Sequence, residues 1–519
     1  MVRPPHPSLR QPASDLIGGH WRTLTGDGIV SQNPAHPDRV VWQGSPVLEH
    51  VDEAVTAARA ALSQWSAAPF EYRAAVLRRY ADLCKARAGQ IAELISDETG
   101  KVMWEARGEA AALATKVDIT FDRSPTGGLA RVMDFSISLS ETRTGRCQFR
   151  PHGVMAIIAP FNFPAFMPNG QFIPALAMGN TVVLKPSDKT PGVGQLLAEL
   201  MAEALESEGA PLGVFNLVQG ASDTASALSS HEDIDGILFT GSWAVGRKIV
   251  EANLDRPGRM IALELGGNNP AVVLPDANLK QAAIEIVRCA FNTTGQRCTC
   301  TRRVVVHEAI ADRVVPLLGK CASNLVFGDP RAEHPVFAGP LISREARQAV
   351  FDAQCRFVRN GGQVILQSSE LPSADGWFLT PGIIEVDRFT RAEVDACGYD
   401  EEVFGPLLRV ATVASLDEAI EQANATKFGL TASVFTRSQA DAERFLREAR
   451  AGCVNVNTGT AGASGRLPIG GLGISGNHRP MGSFALDCCV YPVAQMIETS
   501  GAGGLAEGMR FDDEWVGKP

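Results

Sequence analysis

"GNTVVLKPSD", residues 179–188, sets an apolar run between a glycine and a proline. Thr181–Lys185 is too short for a helix and rich in β-branched side chains, so it predicts a strand. The run has no polar alternation. Both of its faces are therefore expected to be buried, as in a parallel sheet sandwiched between helices. Its last residue is Lys185, and Asp188 follows three positions later. Ligands bind such sheets at the carboxyl ends of the strands. Lys185 is placed to hold ribose hydroxyls, and Asp188 to accept from a 2′-hydroxyl and repel a 2′-phosphate, which favours NAD over NADP. Asp188 is equally suited to opening a loop as an Asx turn.

Outward from this strand the same pattern recurs. "VMAIIA" (154–159), "VFNLV" (214–218), "GILFT" (236–240) and "IALEL" (261–265) are further short runs, with the helical stretch "GQLLAELMAEALESEG" among them. A second set follows in "RRVVVHE", "GGQVIL", "LLRVATV" and "ASVFT". Strands alternating with helices define an α/β chain with two parallel-sheet units. Nearer the start, Val51, Ala54, Val55, Ala58, Leu62 and Trp65 recur at helical spacing. Two stretches stand outside both sets, "FSISLSETRTGRCQFR" (135–150) and "DCCVYPVAQMIETS" (487–500). They either pair with each other and offer an edge to a partner subunit, or form ordinary surface hairpins.

The chain of 519 residues is 45% hydrophobic and 20% charged, with a formal net charge of -10, the composition of a folded α/β protein rather than a disordered one. The acidic balance argues against nucleic acid as a partner. No run is apolar enough for a membrane span. "MVRPPHPSLRQPASDL" lacks an apolar core, so no secretory signal is expected. Eleven cysteines without a repeated spacing point to free thiols in a reducing, cytoplasmic setting. Cys84, Cys289 and Cys453 read as small buried hydrophobes.

Several motifs carry chemistry. "FTGSWAVG" follows a strand and opens a helix, so Gly241, Ser242 and Gly246 suit a pyrophosphate at a helix N-terminus. The spacing is not G-x-G-x-x-G, and structural glycines also sit at such turns. "LELGGNNP" ends a strand with Glu264, suited to general-base work or to an ion pair. "APFNFPAFMPNG" sets Asn162 just after a strand, where its amide can donate to an oxyanion or serve the turn. "FNTTGQRCTCTRR" (291–303) holds Cys298 and Cys300. A single C-x-C without nearby histidine is a poor metal site, and none is expected. From spacing alone, a packed core cysteine accounts for either residue.

Taken in order, "PFNFP", "GNTVVLKPSD", "FTGS", "LELGGNNP", "GQRC" and "EEVFGP" (401–406) resemble the NAD(P)-dependent aldehyde dehydrogenases, from about residue 15 to 498. "GGNNP", "GQRCTC", "FGPLLRV" and "SGNHRP" look closest to the branch that oxidises N-succinylglutamate 5-semialdehyde in arginine breakdown. The resemblance implies an NAD-binding domain over 11–133 and 151–264, a catalytic domain over 265–470, and a β arm for oligomerisation over 134–150 and 485–500. It also implies a homodimer or homotetramer acting on a small aldehyde. It makes Cys298 the nucleophile and Cys300 a bystander. It gives Asn162 and the Cys298 N–H the oxyanion, Glu264 the hydrolytic water, Glu402 the nicotinamide ribose, and Phe404 a place near that ring. Members that pass the acyl group to coenzyme A lack the glutamate, so Glu264 implies a free acid product.

One loop departs from that branch. "NTGTAGASGRLPIGG" has Thr458 where a lysine is usual, and adds Arg466. Arg466 and His478 are the candidates for binding substrate carboxylates, with Arg479 less discriminating. Other anionic semialdehydes such as succinate semialdehyde, a non-catalytic structural protein, or a cofactor-free cysteine hydrolase are the competing readings. Because only Cys298 fits the motif, Cys298→Ala should abolish aldehyde oxidation while Cys300→Ala keeps most of it. Steady-state rates of the two variants check this, and equal losses would contradict it.

Overall fold

The computed structural model describes residues 5–371, 375–391, 399–501 and 503–517. The strand predicted around Val183 spans Thr181–Lys185 and is wholly buried. It lies inside a seven-stranded sheet. In space the order is Met260–Glu264, Gly236–Thr240, Val154–Ile158, Thr181–Lys185, Phe215–Leu217, Ser14–Ile17 and His20–Thr23. The first five strands are parallel. The last two form an antiparallel hairpin added at the edge. Alternate side chains enter different cores. Met155 and Ile157 join one cluster, and Val154, Ala156 and Ile158 join the other. Burial on both faces is why the strand sequences carry no polar alternation.

The chain steps from Val154–Ile158 to Thr181–Lys185 to Phe215–Leu217, then returns to the far side of Val154–Ile158 with Gly236–Thr240. A ligand crevice is expected where the order reverses, at the carboxyl ends of Val154–Ile158 and Gly236–Thr240. Asn162 follows the first of these ends, and Gly241 and Ser242 follow the second.

A second seven-stranded sheet has the order Gln363–Leu366, Gly382–Glu385, Leu407–Val413, Thr301–His307, Asn269–Val273, Thr431–Phe435, Cys453–Val456. Only its first pair is antiparallel. The chain passes from one sheet to the other between Glu264 and Asn269. The two stretches outside the sheets do pair with each other. Val490–Glu498 runs antiparallel to Arg143–Pro151 from Val490↔Pro151 to Glu498↔Arg143, and Phe135–Ser138 forms the outer strand.

The first helix is His50–Ala67, with Ala61 rather than Leu62 completing its buried face. Cys84 and Cys289 are buried as expected, whereas Cys453 is only partly so, because it lies on an edge strand of the second sheet. Among the described residues no helix is long and apolar enough to cross a membrane, and no cluster of three or more His, Cys, Asp or Glu is placed to hold a metal.

The strand that carries Glu264 is an edge strand, and "SGN" (475–477) closes it. Leu265 N–H donates to Ser475 O at 2.9 Å and Asn477 N–H to Leu263 O at 3.1 Å. Asn477 Oδ1 accepts from Leu263 N at 2.7 Å, and its Nδ2 donates to Ile261 O at 3.0 Å. Asn477→Ala leaves both backbone groups unpaired. It should cost roughly 2 kcal/mol, the scale of an unsatisfied buried polar group. A lowered thermal midpoint checks this, and an unchanged one would contradict it.

Candidate active site

The loop that carries Cys298 begins with a reversal. After the helix Leu279–Phe291, residues Thr293, Thr294 and Gly295 take φ values of 51°, 55° and 73°. A Cβ on Gly295 would lie 2.1 Å from Gly405 O, so only glycine fits there. The loop then enters the strand Thr301–His307. Cys300 is fully buried, with Sγ toward Asn292 O at 3.9 Å. Cys298 is only partly buried. Both cysteines are free. Asn269 Nδ2 donates to Cys298 O at 2.7 Å and to Cys300 O at 2.8 Å, while its Oδ1 accepts from Thr431 N at 3.1 Å. The loop backbone is thereby tied to the second sheet. Gly267 permits the approach, since a Cβ there would sit 2.5 Å from Cys298 O.

Asn162 and Glu264 converge on this loop. Asn162 is 7% exposed and its Nδ2 donates to Gln296 O at 2.9 Å. One amide hydrogen is thus anchored and the other is left for a ligand. Glu264 is 3% exposed, and its Oε1 has no hydrogen-bond partner among the described residues. Burial pushes its carboxyl up to about 8, with the Arg479 charge pulling the other way. Burial also pushes the Cys298 thiol well above its usual range, helped by the charges of Glu264 and Glu402 and opposed by Arg302. The resting thiol is therefore protonated at neutral pH, and the neighbouring unpartnered base is Glu264.

Glu402 lies over the two glycines. Its Oε1 accepts from Gly267 N at 2.9 Å, and a Cβ on Gly266 would fall 1.8 Å from its Oε2. Phe404 meets Phe161 edge-on at 5.9 Å, joining this loop to the Asn162 segment. The sequence reading missed what ties these loops together, the fully buried Arg302. It donates to Gly267 O at 3.1 Å, Gly295 O at 3.2 Å, Arg297 O at 2.9 Å and Val403 O, and lies 3.6 Å from Glu402. Its signal was an arginine pair opening an otherwise apolar strand.

At the first sheet, Lys185 Nζ is buried and donates only to Pro186 O at 2.7 Å. Burial lowers its ammonium to about 8 against the pull of Asp188. Asp188 is half-buried and accepts from Ser187 Oγ at 3.4 Å. Ser242 caps the helix Trp243–Glu251 by accepting from Val245 N. Gly246 is buried against Leu265, which a Cβ would approach to 2.9 Å. Residues 242–245 are exposed, so the helix start faces outward at the sheet's reversal point. A spare ammonium, a carboxylate and an open helix N-terminus fit the ribose and pyrophosphate of a dinucleotide.

The remaining candidates lie nearer the surface. Arg466 and His478 are exposed. The Arg466 charge is felt by the Asp122 carboxyl at the end of the helix Met103–Thr120. His478 and Arg479 both take φ 56°. Arg479 donates to Gly471 O at 2.9 Å. The departing loop is nevertheless anchored beside the nucleophile, because Thr460 Oγ1 donates to Thr299 O at 2.7 Å.

A buried acid, a half-open cysteine and an amide donor, with a spare ammonium and an open helix N-terminus at the first sheet, are groups that an aldehyde oxidoreductase can use. The aldehyde dehydrogenase family model matches residues 21–493, and the chain belongs to that family. Within it, the chain is 45% identical to N-succinylglutamate 5-semialdehyde dehydrogenase 2 of Caulobacter vibrioides, over 92% of this chain and 95% of that one. It is 41% identical to N-succinylglutamate 5-semialdehyde dehydrogenase of Paraburkholderia xenovorans, over 96% and 99%. The crystal structure of an indole-3-acetaldehyde dehydrogenase with NAD+ superposes with a TM-score of 0.86 at 28% identity, covering 94% of this chain and 97% of that one.

A carboxyl raised to about 8 binds its proton in the folded state where the unfolded chain has lost it. Stability from this group is present at low pH and lost as pH rises from the ordinary carboxyl range through about 8. Glu264→Gln should therefore stabilise the protein more at pH 9 than at pH 5. The kcat profile of the wild type should rise with pH toward a plateau above about 8, a limb that the variant lacks. Melting curves and rate profiles at both ends check this, and a pH-independent difference between the two proteins would contradict it.

Proposed function

We propose that the protein oxidises N-succinylglutamate 5-semialdehyde, or a closely similar anionic semialdehyde, to its acid, with NAD as the hydride acceptor. The observation that carries the chemistry is the buried Glu264 carboxyl, without a partner at Oε1 among the described residues, whose charge reaches the Cys298 thiol. The names of the relatives support the substrate. A non-catalytic member of the fold has no use for a buried acid without a partner, since such a group only costs stability.

The ionised form of Glu264, populated as pH rises toward about 8, takes the proton of the Cys298 thiol, and the sulfur attacks the aldehyde carbon. The oxyanion accepts from Cys298 N–H and from the free hydrogen of the Asn162 amide. When bound, NAD supplies the acceptor for the hydride that leaves the thiohemiacetal carbon. Cys298 then carries a thioester. Glu264 gives the thiol's proton up to solvent and then takes one from water, the hydroxide adds to the thioester carbon, and the acid departs as that proton returns to the sulfur and restores the thiol. Lys185, Asp188, Gly241, Ser242, Gly246, Glu402 and Phe404 hold the dinucleotide. Asp188 favours NAD over NADP through its hydrogen bond to the 2′-hydroxyl and its repulsion of a 2′-phosphate.

In this reading residues 11–133 and 151–264 form the cofactor domain, and 265–470 form the catalytic domain. The β arm joins cytoplasmic dimers or tetramers, consistent with Phe135 and Ile137 standing 56% and 53% exposed on its outer strand. Arg466 and His478 attract the remote carboxylates at the loop that departs from the relatives.

The wild type should prefer the dicarboxylic semialdehyde to hexanal and NAD to NADP in kcat/KM. Arg466→Ala should raise KM for the dicarboxylate and leave hexanal nearly unchanged, the pattern of lost uniform binding. Equal efficiency with hexanal would overturn the substrate assignment, and equal efficiency with NADP the cofactor assignment.

A further inference from the structure

We propose that Glu105 and Glu109 are positioning residues that lock the two oxyanion donors, the Cys298 N–H and the Asn162 amide, to one rigid helix. Both lie on Met103–Thr120, one turn apart and on the same face. They are 6% and 4% exposed. Glu105 holds the nucleophile loop. Its Oε1 accepts from Thr293 N at 3.1 Å, Thr293 Oγ1 at 2.9 Å and Arg297 Nη2 at 2.6 Å. Arg297 Nε also donates to Thr293 Oγ1 at 2.8 Å. Thr293 opens the left-handed reversal and Arg297 precedes the nucleophile, so Glu105 grips the loop at both ends.

Glu109 holds the other donor. Its Oε1 accepts from Ala165 N and Phe166 N, both at 3.0 Å, the backbone three and four residues after Asn162. Lys101 pairs with the same carboxylate and lies 3.7 Å from the centre of the Phe163 ring. Arg297 lies 5.2 Å from that ring, so Phe163 touches both clamps. The Asn162 amide then closes the circuit on Gln296 O. Buried ion pairs rarely add net stability, because desolvation offsets their attraction. Two of them beside the reacting atoms, one with Glu105 Oε2 left unpartnered, are better explained by geometry. Oxyanion donors act only when held within a few tenths of an ångström.

The proposal rests on the oxyanion role of Asn162, and the test separates the two. Glu109→Gln, Lys101→Met and Glu105→Gln are each made alone and combined with Asn162→Ala, and kcat, KM and NAD affinity are measured. Glu109→Gln and Glu105→Gln should each lower kcat about 10-fold, with NAD affinity within about 2-fold of wild type. In the Asn162→Ala background Glu109→Gln should cost less than about 2-fold, because the donor it serves is already gone, while Glu105→Gln, which serves the Cys298 N–H, should keep its loss. The same fold loss for Glu109→Gln in both backgrounds would overturn the proposal. If Glu109→Gln does not fold, Lys101→Met breaks the same pair from the other side and gives the same comparison. An Asn162→Ala enzyme with wild-type kcat would remove the oxyanion reading itself, and this proposal with it.

Discussion

The buried guanidinium of Arg302 is the constraint on which the site depends. Four carbonyl oxygens from three loops turn toward it: Gly267, Gly295, Arg297 and Val403. Those loops carry the exit from the first sheet, the nucleophile and Glu402. Only arginine presents donors in a planar fork wide enough to reach all of them without losing its charge. A lysine here would leave several carbonyls unpaired, each at a cost of about 1–3 kcal/mol. Arg302 also supplies a positive charge that opposes Glu264 and Glu402 at the Cys298 thiol. Scaffold and reactivity are therefore coupled through a single side chain. Its neighbours repeat the device, with Arg303 Nε donating to Asn268 O at 2.7 Å and Arg409 Nη2 to Asn268 Oδ1 at 2.9 Å.

The electrostatics of the site point in one direction. Burial raises both the Cys298 thiol and the Glu264 carboxyl, and the Glu264 charge further disfavours the thiolate. A thiol held neutral is protected from adventitious oxidation, since the thiolate is the reactive form. In the proposed mechanism, reaction then requires donors placed to stabilise the developing oxyanion, the task assigned there to the Asn162 amide and the Cys298 N–H. The missing partner at Glu264 Oε1 fits the same scheme, because a base already paired with a cation would be too weak to activate water.

Much of this was legible in residues 150–265 before any coordinates. Apolar strands without alternation marked the parallel sheet. Asn162, Lys185 and Glu264 all lay at or just beyond strand carboxyl ends, where such sheets do chemistry. The choice between Cys298 and Cys300 was not legible from spacing. It depends on three successive left-handed residues, 293–295, that turn one thiol inward and leave the other half-open. Arg302 escaped notice because arginine is ordinarily a surface residue, and nothing local marks one that is satisfied by carbonyls distant in sequence. The hairpin Ser14–Thr23 was missed for a related reason: its outer strand is exposed and lacks the apolar run that marked its neighbours. Asn477 lies within "SGNHRP", and its role as a substitute strand partner follows from a backbone path that local pattern does not encode.

The most direct test of the central claim is the site of acylation. Glu264→Gln protein incubated with NAD and the semialdehyde, then digested and measured by mass spectrometry, should carry the acyl group as a thioester on Cys298, with Cys300 unmodified. An adduct on Cys300, or normal turnover with no adduct on either cysteine, would contradict the account.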